Sequence, residues 1–335
     1  MWRHSPLGRT KKSENPVRWG IIGLGYMAET FSCAIDGSKD GVVYAVASRS
    51  LDKAKRFASH HGKCKSYGSY AEMVNDKELQ LDVVYIATPV KFHYEHIKLC
   101  LEVGLNVLCE KPITSTSEQL RELIEIAKRN DCFLMEGMWM KCLPSFRKAC
   151  SWIKEGRIGD VELIKADLYK REHIREGYSI YSAQDGGGVL HDYGVYAVAF
   201  MEHFLGGIPD NMNYTSRISS YGIDSDWQIA ATKNGVKAIV NLSSDFGSQS
   251  KAAVIGKDGF IEWNSQFNRT NCVKLYRADG KISETFTTHY SYEGFEYEVE
   301  EVHKCIRLNA RESNLATISG TYNTLKIIDS LSKSI

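Results

Sequence analysis

A lysine follows a short apolar run in the sequence Glu110-Lys111-Pro112. The run, residues 105–109, is typical of a buried strand, and open α/β sheets bind ligands at the carboxyl ends of such strands. An amine held there can exchange a proton with a substrate hydroxyl, and Glu110 could steer it. Because many strands end in an ordinary surface lysine, the prediction that Lys111 is catalytic depends on the rest of the sequence.

A glycine-rich fingerprint lies near the start of the sequence, directly after a predicted strand. Gly23, Gly25 and Ala28 fit the pattern Gly-x-Gly-x-x-Gly/Ala. The first glycine allows a tight turn, the second lets the main chain approach a pyrophosphate, and the small third residue permits close packing of helix on strand. A helix N-terminus also favours the phosphate charge. We therefore predict a dinucleotide site that includes Gly23, Gly25, Tyr26 and Met27.

The end of the second predicted strand bears on the choice of cofactor. An NAD site usually has an acid here that bonds to the ribose 2′-hydroxyl, but this strand is followed by Ser48 and Arg49. Arg49 could bind a 2′-phosphate, helped by a hydroxyl of Ser48 or Ser50. Asp52 falls in the next helical turn, where it also suits the helix dipole. The sequence favours NADP and leaves NAD possible, and a solvated Arg49 is the alternative.

The segment Thr88-Pro89 follows the next buried strand and is predicted to contact the nicotinamide half of the cofactor. An ordinary turn from strand to helix explains Pro89 equally well. His93 comes next, and both a ribose contact and a structural role are open for it. Glu110 and Lys111 complete the predicted cofactor site.

A second group of reactive side chains follows the triple glycine at residues 186–188. Asp192 and Tyr196 are four residues apart and would share one face of a helix, where a carboxylate and a phenol can hold and polarise a substrate hydroxyl. Ordinary packing at a helix start is the alternative. His191 beside Asp192 would suit a metal ion, but no further ligands follow at suitable spacing, so no metal site is predicted.

Hydrophobic periodicity divides the chain into two parts. Strands alternate with helices over residues 17–136, which predicts βαβ units and a parallel sheet. After residue 161, short strands joined by Asn-Gly and Asp-Gly pairs predict an antiparallel sheet. We expect residues 1–16 to form a disordered arm and residues 137–335 to form the second domain, whose C-terminal helix could pack back on the first.

Composition excludes several classes of protein. A net charge of +1 over 335 residues gives no support for a nucleic-acid or acidic-membrane partner. No apolar run reaches the ~18 residues of a membrane-spanning helix. Nine cysteines, an odd number without a Cys-x-x-Cys pair, predict neither a disulfide framework nor zinc, and free thiols predict a cytoplasmic protein.

Taken in order, these motifs resemble the Gfo/Idh/MocA family of nicotinamide-dependent oxidoreductases. The resemblance covers residues 17–332 and rests on the fingerprint, on Thr88-Pro89 with His93, on Glu110-Lys111-Pro112, and on the triple glycine that leads to Asp192-x-Gly194-x-Tyr196. It implies an α/β protein with an N-terminal Rossmann domain and a C-terminal α+β domain with a large, mainly antiparallel open sheet. It further implies that Lys111 is catalytic, that Asp192 and Tyr196 face the substrate, and that the sheet supports a homodimer or homotetramer.

Two departures from the family pattern refine this resemblance. Many relatives have Asn where this chain has Val90, and many inositol dehydrogenases have His where it has Tyr196. Tyr196 and the stretch 136–141 are most similar to the dihydrodiol dehydrogenase and sugar-reductase branch. The resulting hypothesis is reversible hydride transfer between NAD(P) and a sugar, cyclic polyol or diol, with proton transfer shared by Lys111 and Tyr196.

Three further residues are weaker candidates for substrate contact. Trp139 could form an apolar wall over the substrate or could equally be a core residue, and Tyr169 and Arg171 follow the first strand of the second domain. A non-catalytic sensor that binds a dinucleotide through the same fold is the alternative function. Loss of the lysine would favour the sensor, and Lys111 is present.

Overall fold

The computed structural model describes residues 12–62, 64–171, 187–264 and 266–333. Its strands are β1 (Val17–Ile22), β2 (Gly41–Ala47), β3 (Lys65–Tyr67), β4 (Val83–Ile86), β5 (Asn106–Glu110), β6 (Leu134–Gly137), β7 (Val161–Tyr169), β8 (Asn211–Ile218), β9 (Asp224–Lys233), β10 (Val236–Ser243), β11 (Ala252–Gly256), β12 (Gly259–Trp263), β13 (Cys272–Arg277) and β14 (Ile282–Thr287). Its helices are α1 (Tyr26–Gly37), α2 (Leu51–Ala58), α3 (Tyr70–Asn75), α4 (His93–Glu102), α5 (Ser117–Arg129), α6 (Pro144–Lys154), α7 (Val195–Leu205), α8 (Phe295–Arg307) and α9 (Ile318–Ser332). The sequence pattern did not predict β3, β14 or α3, which are short or carry few buried side chains.

The first of two compact units contains a six-stranded parallel sheet. Its strand order, β3-β2-β1-β4-β5-β6, is that of a Rossmann domain. Every position of β4 is buried, as expected when both faces of a parallel sheet are covered. The strand order reverses between β1 and β4, and α/β proteins bind dinucleotides in the crevice at that point.

The boundaries of the two units differ from the domain ranges predicted from the sequence. The first unit comprises the described residues up to Ile113, together with Gln119–Trp139 and Tyr290–Asn314. The second comprises Thr114–Glu118, Met140–His289 and the described residues from Leu315 onward. It is therefore α8, and not the C-terminal helix α9, that belongs to the first unit. In that unit α8 packs against α1, a pairing that local periodicity cannot reveal.

The expected disordered arm is wrong for its last residues. The ammonium of Lys12 donates hydrogen bonds to the main-chain oxygens of Asp36, Ser38 and Gly41 at 2.6–2.8 Å. The amide of Ser13 donates to the oxygen of Lys39 at 2.9 Å. A cation at the carboxyl end of α1 complements the helix dipole and satisfies its terminal carbonyl groups. Residues 1–11 lie outside the described residues.

The second unit contains an eight-stranded sheet in the order β14-β13-β12-β11-β7-β10-β9-β8. Among the described strands of this sheet only β7 and β10 pair in parallel, so the prediction of a mainly antiparallel sheet is confirmed. Asn234 and Gly235 join β9 to β10 with φ of +49° and +84°, as a two-residue hairpin of primed type requires. Helix α7 packs against β7 and β10.

The sheet of the second unit has an apolar row on the face that is less buried. This apolar row consists of five residues that lie directly opposite one another on five adjacent strands: Leu163, Ile255, Phe260, Tyr276 and Ile282. The rings of Phe260 and Tyr276 stack with centroids 4.4 Å apart, and Ile282 is 53% exposed. The next residues along the same strands, such as Ile164 on β7 and Ile261 on β12, are buried.

All nine cysteines are free thiols. Burial raises the pKa of Cys100 and Cys109, so these side chains are protonated near pH 7. Within the described residues, no group of three or more His, Cys, Asp or Glu side chains could hold a metal ion. In the same part of the chain, no helix is long and apolar enough to cross a membrane.

Candidate active site

The glycine-rich loop between β1 and α1 makes the turn that its sequence predicts. Gly23 has a φ of +89°, and a Cβ there would lie 2.7 Å from Thr88 Cγ2 and 2.8 Å from the main chain of Ala87. Only glycine therefore fits this position without strain. Ala28 is fully buried in α1, as expected of the third small residue in the fingerprint.

Gly25 lies at the amino end of α1, where the structure leaves room for a ligand. A Cβ at Gly25 would meet no atom of the described residues within 4 Å, and no side chain caps the helix at Gly25. The first N–H groups of the helix and its positive dipole end suit a phosphate. Tyr26, which is 74% exposed, and Met27 begin the helix. These residues fit the pyrophosphate of a dinucleotide.

The end of β2 carries a buried serine and an exposed arginine. The Ser48 hydroxyl accepts a hydrogen bond from the Ser50 amide at 3.3 Å, and the Ser50 hydroxyl accepts one from the Lys53 amide at 3.4 Å, which caps α2. Each hydroxyl can still donate its own proton. Arg49 extends from the same turn and is exposed. The arrangement suits a phosphate group at the end of β2.

His96 on α4 is a residue that sequence reasoning missed. Its Nδ1 lies 3.0 Å from Thr88 Oγ1, and its ring packs edge-on against Tyr70 with centroids 4.7 Å apart. Burial is the main cause that lowers the pKa of His96 to about 4, and electrostatic interactions with His93 and Arg49 act in the same direction, so the ring is neutral near pH 7. A neutral aromatic surface near a guanidinium suits a nucleotide base beside its phosphate.

His93 connects the ends of two strands. Its Nδ1 lies 2.9 Å from the Pro112 oxygen, and its Nε2 lies 2.6 Å from the Thr88 oxygen. Burial lowers the pKa of His93. Both ring nitrogens thus lie within hydrogen-bond distance of main-chain oxygens, which favours the structural role among the two that the sequence left open. Pro89 is exposed beyond Thr88, at the carboxyl edge of the sheet.

Strand β5 ends in the predicted acid–lysine pair. Glu110 is buried at the last position of the strand, and Lys111 is half-buried beyond it, with a cis peptide bond to Pro112. The Tyr85 hydroxyl donates a 2.5 Å hydrogen bond to Glu110 Oε1. Burial raises the pKa of Glu110, although this hydrogen bond and the charge of Lys111 oppose the shift. Lys111 therefore follows a buried carboxyl group that is fixed from the neighbouring strand.

A second buried acid comes from α8. Glu298 is fully buried, and neither of its carboxyl oxygens has a hydrogen-bond partner among the described residues. Burial, with Glu110 and Glu136 nearby, raises the pKa of Glu298 well above its usual range, which favours the neutral form of this side chain. The Glu136 carboxyl group accepts a hydrogen bond from the Ile113 amide at 3.1 Å. No motif in the sequence marks Glu298 as an inward-facing residue.

The second unit carries the other predicted pair on an unusual helical turn. Leu190–Gly194 forms a π-helical turn that leads directly into α7. Such turns are rare in proteins as a whole, but those that occur are often found at functional sites. Asp192 and Tyr196 are half-buried, whereas the residues between them are buried. The two side chains thus belong to the less buried side of the helix. Gly186, the first glycine of the triplet, lies outside the described residues.

The three weaker candidates contact other residues of their own units. Trp139 is buried and stacks on Phe295 with centroids 4.4 Å apart, which favours its alternative as a core residue. Tyr169 packs against Phe246, and Arg171 Nε donates to the Asp245 oxygen at 3.2 Å. Both residues therefore contact the segment that follows β10.

Comparisons with known proteins agree with this architecture. A family model described as an oxidoreductase family with an NAD-binding Rossmann fold matches residues 17–138, and a GFO/IDH/MocA C-terminal domain model matches residues 146–262. The trans-1,2-dihydrobenzene-1,2-diol dehydrogenase of Xenopus laevis is 30% identical over 327 residues, which cover 93% of this chain and 96% of the relative. The enzyme of that name from Homo sapiens is 28% identical and covers 95% and 97%.

Two solved structures have the same fold at low sequence identity. KijD10, a 3-ketoreductase from Actinomadura kijaniata in complex with NADP and TDP-benzene, has a TM-score of 0.82 at 23% identity and covers 95% of this chain and 98% of its own. An aldose-aldose oxidoreductase from Caulobacter crescentus complexed with glycerol has a TM-score of 0.85 at 18% identity and covers 96% and 97%.

The parallel sheet with its glycine-rich loop, the second sheet and the two family models together define a dinucleotide-binding oxidoreductase with a second α+β domain. The chain belongs to the Gfo/Idh/MocA family of NAD(P)-binding oxidoreductases. The resemblance and the fold class inferred from the sequence are thereby confirmed. The relatives that carry the name of dihydrodiol dehydrogenases agree with the branch indicated by Tyr196 and residues 136–141.

Proposed function

We propose that the protein catalyses reversible hydride transfer between NADP(H) and the carbinol or carbonyl carbon of a diol, a sugar or a cyclic polyol. The observation that carries the proposal is the position of Lys111, after β5 and beside the buried Glu110–Tyr85 pair. When bound, the nicotinamide accepts or gives the hydride at C4. The family's dinucleotide fits the loop at Gly23 and Gly25.

Lys111 and Tyr196 would handle the proton. In the direction of reduction, the Lys111 ammonium gives a proton to the carbonyl oxygen while the hydride arrives at carbon, and a hydroxyl results. In the direction of oxidation, the neutral amine takes that proton back. Tyr196 donates a hydrogen bond to the developing oxyanion, and Asp192 binds a neighbouring hydroxyl or orients the pair.

NADP is the dinucleotide that the end of β2 suits best. Arg49 can bind a 2′-phosphate with two parallel hydrogen bonds, and the Ser48 hydroxyl can donate another. No acid follows the strand to accept a hydrogen bond from a 2′-hydroxyl before Asp52, which occupies the first turn of α2. The ketoreductase of similar fold is described in complex with NADP, which supports the same choice.

A vicinal diol is the substrate that we favour among the three classes. The relatives that match almost the whole chain are named for a cyclic diol. A carboxylate and a phenol four residues apart can each contact one of two adjacent hydroxyl groups. The ketoreductase and the aldose oxidoreductase support sugars as a further class to be tried.

Replacement of Lys111 by alanine tests the proposal. With NADP⁺ and a panel of cyclic diols, polyols and sugars, we expect the wild type to produce reduced nicotinamide, measured by its absorbance. We expect Lys111→Ala to lower kcat by ~100- to 10,000-fold, the range for loss of a general acid–base group. Lys128→Ala, on the exposed side of α5, is the control and should be fully active.

The outcomes separate catalysis from sensing. Full activity of Lys111→Ala would show that the assigned mechanism is wrong. Tight binding of the cofactor without turnover of any substrate would instead favour the non-catalytic sensor.

Two further proposals concern the assembly and the compartment. The apolar row supports self-association through the open sheet as a homodimer or homotetramer, because a row of apolar side chains on a monomer's surface is typical of an interface. Free thiols at all nine cysteines support the cytoplasm as the compartment.

A further inference from the structure

We infer that Asp224 is a positioning residue whose carboxylate fixes the start of the helix that carries Asp192 and Tyr196. The inference deepens the proposed function, since it rests on the roles proposed there for those two residues. Asp224 is the first residue of β9, in the same compact unit as the helix, and it belongs to none of the motifs in the sequence.

The contacts of Asp224 join the sheet to the helix. Asp224 is 6% exposed, and its Oδ2 accepts two hydrogen bonds of 2.7 Å, one from the Leu190 amide and one from Trp227 Nε1. Trp227 is fully buried in β9. The π-helical turn that begins at Leu190 has no capping side chain at Val189, its own N-terminal flank. Asp224 therefore supplies the cap from a strand 34 residues further along the chain, and its charge suits the positive end of the helix.

Gly188 makes this contact possible. Its φ is +120°, and a Cβ there would lie only 1.8 Å from Asp224 Oδ1. A side chain of any size would push the carboxylate away from the Leu190 amide. The approach of Asp224 thus requires glycine at position 188 and accounts for the third glycine of the triplet.

The helix is held at a second point, one turn later. A Cβ at Gly194 would lie 2.7 Å from Leu242 Cδ1 on β10 and 2.9 Å from the Val189 oxygen. The helix backbone therefore lies directly on the sheet at Gly194. Asp192 lies between the two fixed points and Tyr196 lies just after the second. The cap by Asp224 therefore determines how the helix is rotated about its axis, and where along that axis the two side chains lie.

The experiment compares Asp224→Ala with Asp224→Asn and Gly188→Ala in the full-length protein. Hydrogen–deuterium exchange of the amides in residues 189–196 reports the state of the helix without any substrate. We expect exchange in Asp224→Ala to be faster by about tenfold or more, because the Leu190 amide loses its acceptor. We expect Gly188→Ala to have the same effect, and Asp224→Asn to recover part of the protection, since its amide oxygen can still accept.

Activity is the second measurement, because a residue that only stabilised the helix would leave kcat unchanged. We expect kcat of Asp224→Ala to fall by roughly 10- to 100-fold, the cost of a small misplacement of catalytic groups. Affinity for NADP should remain within about twofold, because the dinucleotide loop is in the other unit. Asp210→Ala is the matched control: the Asp210 carboxylate also accepts a 2.8 Å hydrogen bond from a main-chain amide, that of Asn234, but at an exposed hairpin.

Each outcome has a separate meaning. Unchanged exchange in residues 189–196 of a folded Asp224→Ala protein would overturn the inference. Faster exchange with unchanged kcat would also overturn it, because Asp224 would then stabilise the helix without positioning the reacting groups. If Asp224→Ala does not fold, Asp224→Asn and Gly188→Ala decide by the same two measurements. Absence of turnover in the wild type would refute the proposed function, and the exchange data would still decide whether Asp224 fixes the helix.

Discussion

Arg49 is the residue on which the proposed choice between the two dinucleotides depends. We expect Arg49→Ala to raise KM for NADP by roughly 10- to 100-fold, because a hydrogen bond to a charged group contributes about 1.5–3 kcal/mol. KM for NAD should change little. The measurement is kcat/KM with both dinucleotides, with Arg56→Ala on the exposed side of α2 as the control. A preference for NAD in the wild type that survives Arg49→Ala unchanged would refute the cofactor proposal.

Residues within local motifs were the ones that the sequence could locate. Lys111, Gly23 and Gly25 follow strands that their own flanking residues predict, so their positions at the edge of the sheet could be inferred. Tyr85 and Asp224 could not be found in this way, because each acts through a contact with a segment distant in sequence. A lone tyrosine in the otherwise aliphatic run of β4 was the one signal that pointed to a buried hydroxyl.

Helix α8 contributes a buried acid whose protonation should make stability depend on pH. The pKa of Glu298 is raised in the folded protein, so above pH ~4.5 the native state holds a proton that the unfolded chain has released. The free energy of unfolding should therefore fall as pH rises towards the folded pKa, by up to about 1.4 kcal/mol per pH unit for this one proton. The neutral carboxyl group makes its full contribution to the free energy of unfolding only below the pKa that Glu298 has in the unfolded chain.

The change Glu298→Gln removes this proton and tests its effect. We expect the variant to gain stability relative to the wild type as pH rises from about 7 to 9, measured as Tm across that range. Glu300→Gln, an exposed position on the same helix, should follow the wild type at every pH. Burial lowers the pKa of His303 on the same helix to about 4. Because a histidine in the unfolded chain has a pKa of ~6.5, His303 destabilises the fold only as the pH falls below that value, which is outside the measured range. A Glu298→Gln curve parallel to the wild type would contradict the assignment of a neutral Glu298.

The existence of the helices could be predicted from the sequence more readily than the surfaces against which they pack. Helix α8 and helix α9 both have the amphipathic pattern of half-buried helices, and both were expected from the sequence. The pattern does not specify the surface that a helix covers. In the structure α8 packs on α1, through contacts such as the edge-on pair Phe295 and Phe31, whereas α9 packs on α7.

For the whole molecule, the apolar row predicts the oligomeric state. We expect the wild type to sediment as a dimer or tetramer at micromolar concentrations, and Phe260→Lys with Tyr276→Lys to shift it towards monomer, because the substitutions would bury charges at the interface. Leu308→Lys is the control, since Leu308 is 69% exposed and belongs to the first unit, not to the unit that contains this sheet. A monomeric wild type at these concentrations would refute the proposal.

The division of the first unit among three stretches of chain has a consequence for biosynthesis. The ribosome makes the six strands and their glycine-rich loop first, then residues 140–289 of the other unit, and only afterwards α8. At ~5–20 residues per second, roughly 8–30 s separate Trp139 from its stacking partner Phe295. During that interval the nascent nucleotide-binding sheet exposes the surface that α8 will cover, so this unit should depend on chaperones for longer than its early position in the chain implies.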